Sequence, residues 1–108
     1  MAISIDGTLF YANWCGHCTN FKPEWAKFKQ KVSQIGGVYN GKNISFHEYE
    51  DSKLPPDGAK IQNKNIRGYP SIKITVSTNG KSVEYEYEGK RKADDLFYHI
   101  TEQAHKNL

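Results

Sequence analysis

The sequence predicts an α/β layer fold, a mixed sheet flanked by helices, with elements in the order β, α, β, α, β, β, α. Three observations carry this reading. Apolar residues recur at helical spacing in the stretch after Gly16. They alternate at strand spacing from Ser71 to Glu88. An Asn79-Gly80 pair, the strongest short hairpin signal, joins two of those alternating runs. With 108 residues, 37% hydrophobic and 13% aromatic, the chain can bury one modest core but not two. It is read as a single domain over residues 1–108.

Leu9, Phe10 and Tyr11 form a short apolar run within Thr8 to Ala12, suited to a strand buried on both faces. Ile3 and Ile5 precede Asp6-Gly7 and are read as a short extra strand or an extended arm. Phe21, Trp25, Phe28, Val32 and Ile35 then step by four and three, one face of an amphipathic helix. Gly36-Gly37 tolerates the left-handed cap that ends it. Pro23 lies inside this helix, lacks a backbone donor and is expected to bend the axis near Thr19. Ile44 to Tyr49 reads as the second strand. Leu54 to Gly58 is a loop, followed by a short helix to about Asn63. In the inner strand from Ser71 to Val76, Ile72, Ile74 and Val76 share one face. Val83, Tyr85 and Tyr87 alternate with Glu84, Glu86 and Glu88, and the glutamates discourage edge-to-edge pairing. Leu96, Phe97, Ile100 and Ala104 mark a closing helix.

Charge narrows the function classes. The net charge of +3 comes from 15 basic and 12 acidic residues that interleave. The mild clusters at Lys22 to Lys31 and Lys90-Arg91-Lys92 lack the density and reading motif of a nucleic-acid footprint, so no nucleic-acid partner is expected. No apolar run approaches the ~20 residues of a membrane span. Met1 to Asp6 lacks the basic start and apolar core of a signal peptide, so the expected home is cytoplasmic, or the ER lumen or another oxidising compartment if the chain is processed.

Two cysteines exclude a disulfide-rich framework. Cys15-Gly16-His17-Cys18 stands where the first buried strand gives way to a helix. A thiol in the first helical turn meets unsatisfied N–H groups and the positive end of the helix dipole, and both stabilise a thiolate. The thiolate is the nucleophile of disulfide exchange, and a second thiol three residues on can resolve the mixed disulfide. His17 adds positive charge beside Cys15, and Trp14 provides an apolar platform. Zinc is the competing use of such a pair, with His47, His99 and His105 as candidate completions, but no second pair has metal-ligand spacing. An inert disulfide here closes so small a loop that it stabilises little.

The chain resembles the thioredoxin superfamily, and within it a protein disulfide isomerase catalytic domain. Trp14-Cys15-Gly16-His17-Cys18 is similar to the isomerase form of the active site. The likeness continues in Pro23-Glu24-Trp25-Ala26-Lys27, in Ile66-Arg67-Gly68-Tyr69-Pro70-Ser71 and in Tyr87-Glu88-Gly89-Lys90-Arg91 followed by Ala93-Asp94-Asp95-Leu96. The resemblance implies a minimal thioredoxin-like fold lacking the usual N-terminal β–α unit. It implies Cys15 as nucleophile, Cys18 as resolving thiol and a cis Tyr69–Pro70 bond. The backbone of Tyr69 would pair with a substrate strand, and Trp14 and Pro70 would join it in substrate binding. Arg91 matches an arginine that swings toward the resolving cysteine; with Gly16 and His17 it would tune thiol acidity. An equal reading of Arg91 is a solvated residue in a basic loop.

One position departs from the family. Six residues before the nucleophile the family keeps a buried carboxylate; here it is Leu9. The usual lysine partner is also absent, with His47 among the nearest alignable residues. Steps that require Cys18 to lose its proton should therefore slow. The expected function is thiol–disulfide exchange with protein or peptide substrates, direction open, with no bound cofactor or metal. Electrons pass to or from a redox partner: a reductase, an oxidase or glutathione. The alternative is a non-enzymatic binding or assembly module, zinc-bound in one version. The missing unit also suggests a dimer through an uncovered sheet edge.

Overall fold

The computed structural model describes residues 2–50 and 68–108. β1 (Ile3–Tyr11) is one unbroken strand, so Ile3 and Ile5 belong to the same element as Leu9 rather than to a separate stub or arm. Asp6 does not interrupt it because its carboxylate is held. Thr8 Oγ1 donates to it at 2.6 Å, Ser45 Oγ at 2.8 Å, and His47 Nδ1 lies 2.7 Å away. Gly7 lies opposite, where a Cβ would stand 3.1 Å from Ile100 Cδ1.

α1 (Gly16–Gln34) buries Phe21, Trp25, Phe28 and Val32 and runs on through Pro23. It ends as Gly36-Gly37 foretells. Both glycines have positive φ, and their amides return to Ser33 and Val32 carbonyls at 3.0 Å each, satisfying acceptors the helix leaves open. β2 (Val38–Tyr39) and β3 (Lys42–Glu50) then form a hairpin over Asn40-Gly41, whose φ values of 47° and 78° suit a tight two-residue turn. β2 has no counterpart in the sequence reading. The predicted loop from Leu54 and the short helix to Asn63 lie outside the described residues.

β4 (Ser71–Thr78) and β5 (Lys81–Glu86) pair over Asn79-Gly80, as predicted. The sheet order is β2-β3-β1-β4-β5, with β1 parallel to β3 and antiparallel to β4. α2 (Ala93–Tyr98) continues as a π-helical turn (His99–Gln103) and a 3₁₀ turn (Ala104–Asn107). The closing helix thus changes pitch where Thr101 Oγ1 takes the Phe97 carbonyl at 2.7 Å, a side-chain bond that competes with the regular ladder. Both helices cover one face of the sheet. There Ile5, Leu9, Ile72, Ile74 and Val76 meet Phe28, Leu96 and Ile100 in the core.

The sheet edge beside β3 is partly occupied. Among the described residues β2 pairs with Lys42 and Asn43 only.

Candidate active site

After β1 the chain turns tightly, Cys15 N–H donating to the Ala12 carbonyl at 3.1 Å, and delivers Cys15 to the N-cap of α1. A cap needs a side-chain acceptor for the amides of the first turn. Here the thiol sulfur serves: the Cys18 amide donates to Cys15 Sγ at 3.1 Å. The same thiol lies 3.4 Å from the Tyr69 carbonyl, to which it donates. Cys15 is 6% and Cys18 1% exposed, and both are free thiols in one cluster with Ala12, packed by Tyr11 and Tyr69.

Cys18 is the harder thiol to ionise. Burial, joined by its hydrogen bond and charge interaction with Cys15, pushes its pKa up to about 11. A backbone hydrogen bond from Ala12 and the charge of Arg91 pull the other way. Arg91 Nη2 donates to the Pro70 carbonyl at 3.5 Å, which places the exposed guanidinium beside the Tyr69-Pro70 loop. The Tyr69–Pro70 bond is cis. Trp14, 75% exposed, meets Tyr69 edge to face with ring centroids 5.8 Å apart. His17 and Gly16 are exposed on the first turn. The structure therefore gathers Trp14, Cys15, Gly16, His17, Cys18, Tyr69, Pro70 and Arg91 at one end of the sheet.

It does not gather the candidate zinc ligands there. His47 faces away from the helices onto Asp6, while His99 packs on the rings of Tyr85 and Tyr87. Among the described residues no three His, Cys, Asp or Glu side chains converge on a metal position. The register also corrects the alignment around Leu9. Its neighbour on β3 is Glu48, and His47 lies beside Thr8 with its side chain on the other face. Leu9 is 2% exposed and purely a core residue. Glu48 accepts from Trp25 Nε1 at 3.0 Å and from Lys29 Nζ at 2.6 Å. Burial raises its pKa, but those two donors outweigh it and hold the carboxyl below the usual range.

Two residues that the sequence reading passed over position the Arg91 loop. Tyr87 Oη donates to the Lys90 carbonyl at 2.7 Å, and Glu24 Oε1 accepts the Ala93 amide at 2.9 Å. α2 begins after Lys92, a side chain that cannot accept a hydrogen bond, so its first amide finds an acceptor on α1 instead. The missing cap at Lys92 was the available signal. A third, Glu50, is 8% exposed and accepts the Asn13 amide at 3.4 Å, bracing the turn that carries Trp14 and Cys15.

This geometry has close counterparts. The chain is 35% identical over 91 residues to "Protein disulfide-isomerase A6 homolog" of Drosophila melanogaster, covering 81% of this chain and 18% of that protein. It is 32% identical over 95 residues to a protein disulfide-isomerase of Hordeum vulgare, covering 88% of this chain and 17% of the relative. The chain thus spans less than a fifth of these relatives' length. Among solved structures it superposes on ERdj5 form I with a TM-score of 0.70 at 21% identity, over 97% of this chain and 13% of that one. Zinc-bound human ERp44 gives 0.66 at 22% identity, over 89% and 25%. Residues 8–102 match the Thioredoxin family pattern, and the chain belongs to the thioredoxin family.

Proposed function

We propose that this chain is a thiol–disulfide oxidoreductase that exchanges disulfides with protein substrates through Cys15 and Cys18, working in the oxidase or isomerase direction. The observation that carries it is the Cys15 sulfur: it caps α1, faces the Tyr69 carbonyl and has a second thiol one helical turn away.

In the reducing half-cycle Cys15 thiolate attacks one sulfur of a substrate disulfide. The substrate S–S bond breaks, a Cys15–substrate mixed disulfide forms, and the displaced sulfur leaves as a thiolate that takes up a proton. Cys18 then gives up its proton and attacks Cys15 Sγ. The mixed disulfide breaks, the second substrate sulfur leaves as a thiol, and Cys15–Cys18 is oxidised by the two electrons the substrate gained. Oxidation is the reverse. Isomerisation stops at the mixed disulfide and lets another substrate thiol displace Cys15, with no net electron transfer. The exposed Trp14 and the backbone at Tyr69 support docking of an extended substrate segment beside the nucleophile.

The isomerase or oxidase direction rests on His17 within the motif and on the names of the relatives. It also bears on location. A cytoplasmic home has no support from those relatives, because rearranging disulfides requires a compartment in which they persist. We therefore favour an oxidising one. No helix among the described residues is long and apolar enough to cross a membrane.

The test combines a redox titration against glutathione with insulin reduction and scrambled-ribonuclease refolding. Cys15→Ser should abolish turnover, and Cys18→Ser should accumulate mixed disulfides with substrates. Full function in Cys15→Ser would favour a binding or assembly module, and a strongly reducing potential without isomerase activity would make the chain a reductase.

A further inference from the structure

Between the first turns of α1 and the Arg91 loop lies a cavity of about 250 Å³ lined among the described residues by His17, Asn20, Phe21, Glu24, Arg91 and Lys92. Its rim carries two permanent cations and a histidine. The one carboxylate, Glu24, is already engaged: Oε1 by the Ala93 amide at 2.9 Å and Oε2 by Lys27 at 3.4 Å. Neither Arg91 nor Lys92 forms an ion pair with a carboxylate among the described residues. Arg91 is fixed over the Pro70 carbonyl, and Tyr87 and Glu24 hold its loop at both ends. Glu24 offsets part of this charge, and with two cations against one carboxylate the lining stays net positive.

A second, polar hollow of about 500 Å³ between α1 and α2 shares Glu24 and Lys92 with the first. That hollow sets Glu24, Asp94 and Asp95 against Lys27, Lys31 and Lys92, so its charges balance and the net attraction for an acidic segment lies in the first cavity.

We infer that the first cavity is a substrate subsite for polypeptides carrying carboxylates next to the reactive cysteine, with His17, Arg91 and Lys92 receiving the acidic side chains. The inference rests on the exchange activity proposed above and adds to it a substrate class. Attraction of this kind acts mainly on the rate of productive encounter and fades with salt.

The experiment uses two disulfide-bonded peptides identical except that the residues flanking each cysteine are Glu in one and Gln in the other. The reduced protein should react roughly three- to fivefold faster with the Glu peptide at low ionic strength, the range for a few exposed charge pairs. About 0.5 M salt should remove the difference. Lys92→Gln should reduce the preference and Lys92→Glu abolish it, both leaving the rate on the Gln peptide unchanged. Equal rates on the two peptides, or a preference that survives Lys92→Glu, would overturn the subsite. If the protein reacts with neither peptide, the exchange activity itself is refuted and the subsite with it; the Gln peptide tells these failures apart.

Discussion

Cys18 must lose a proton before it can resolve a mixed disulfide, and its surroundings oppose that loss. Burial, the largest cause of its raised pKa, persists once Cys15 is in a mixed disulfide, so little of the Cys18 thiol is ionised near pH 7. In a family where a buried carboxylate commonly helps at this step, Leu9 offers no proton acceptor, and Glu48 beside it is committed to Trp25 and Lys29. The rate of resolution, followed by quenching a Cys15-linked peptide disulfide, should therefore climb with pH until the buried Cys18 thiol is ionised, about tenfold per pH unit below that point. Leu9→Glu should flatten that slope; an unchanged profile would show that a carboxylate at this position does not reach the proton. Glu24 acts at one remove. Removing its acceptor in Glu24→Ala should lower stability, as loss of a helix cap does. It should also slow resolution, because Arg91 would no longer be held where it favours the Cys18 thiolate. Glu24→Gln retains an acceptor oxygen and should recover most of both; loss of stability with normal resolution would make Glu24 merely structural.

At the level of elements, Gly7 sets how closely the end of the chain can approach β1. A side chain there meets Ile100 at 3.1 Å, so Gly7→Val should overpack the core and destabilise by about 1–3 kcal/mol in urea unfolding. The same residue shows where sequence reasoning falls short. Asp6-Gly7 reads as a break because both residues disfavour strands in isolation. Asp6 is satisfied by Thr8, Ser45 and His47, and Gly7 is required by a helix some ninety residues later. Both reasons are tertiary. The helical stripe from Phe21 to Val32, its glycine stop and the Asn79-Gly80 hairpin were legible because each is set by neighbours in sequence. The Asn40-Gly41 turn carried the same hairpin signal, but its strand, Val38–Tyr39, is too short to show alternation. In the site, Cys15, Cys18, His17, Tyr69 and Pro70 were legible through a compact motif and a family likeness. Glu24, Tyr87 and Glu50 were not, because each acts on a backbone atom and leaves no spacing pattern.

For the whole molecule, these ionisations couple folding to pH at both ends. A thiol whose folded pKa, about 11, exceeds its reference value of 9.0 adds stability that is complete below pH 9 and is lost as pH rises toward 11. The carboxylates of Glu24, Glu48 and Asp94 are shifted down by their hydrogen-bond donors and lysine partners, so their contribution is present above about pH 4.5 and fades as pH falls. Thermal melts of the dithiol form should decline more steeply from pH 9 upward than those of the disulfide form, in which Tyr39, Tyr85 and Tyr87, also raised, still titrate but no thiol does. Coincident alkaline limbs would show that Cys18 ionises no less readily in the folded protein than in the unfolded one. The sulfur that caps α1 adds a local counterpart. Once Cys15 is bonded to another sulfur it is a poorer acceptor for the Cys18 amide, so the first turn is closed less firmly in the oxidised protein. The Cys18 amide proton, by its chemical shift and its exchange with solvent, then serves as a built-in gauge of redox state, readable by NMR without any label or added dye.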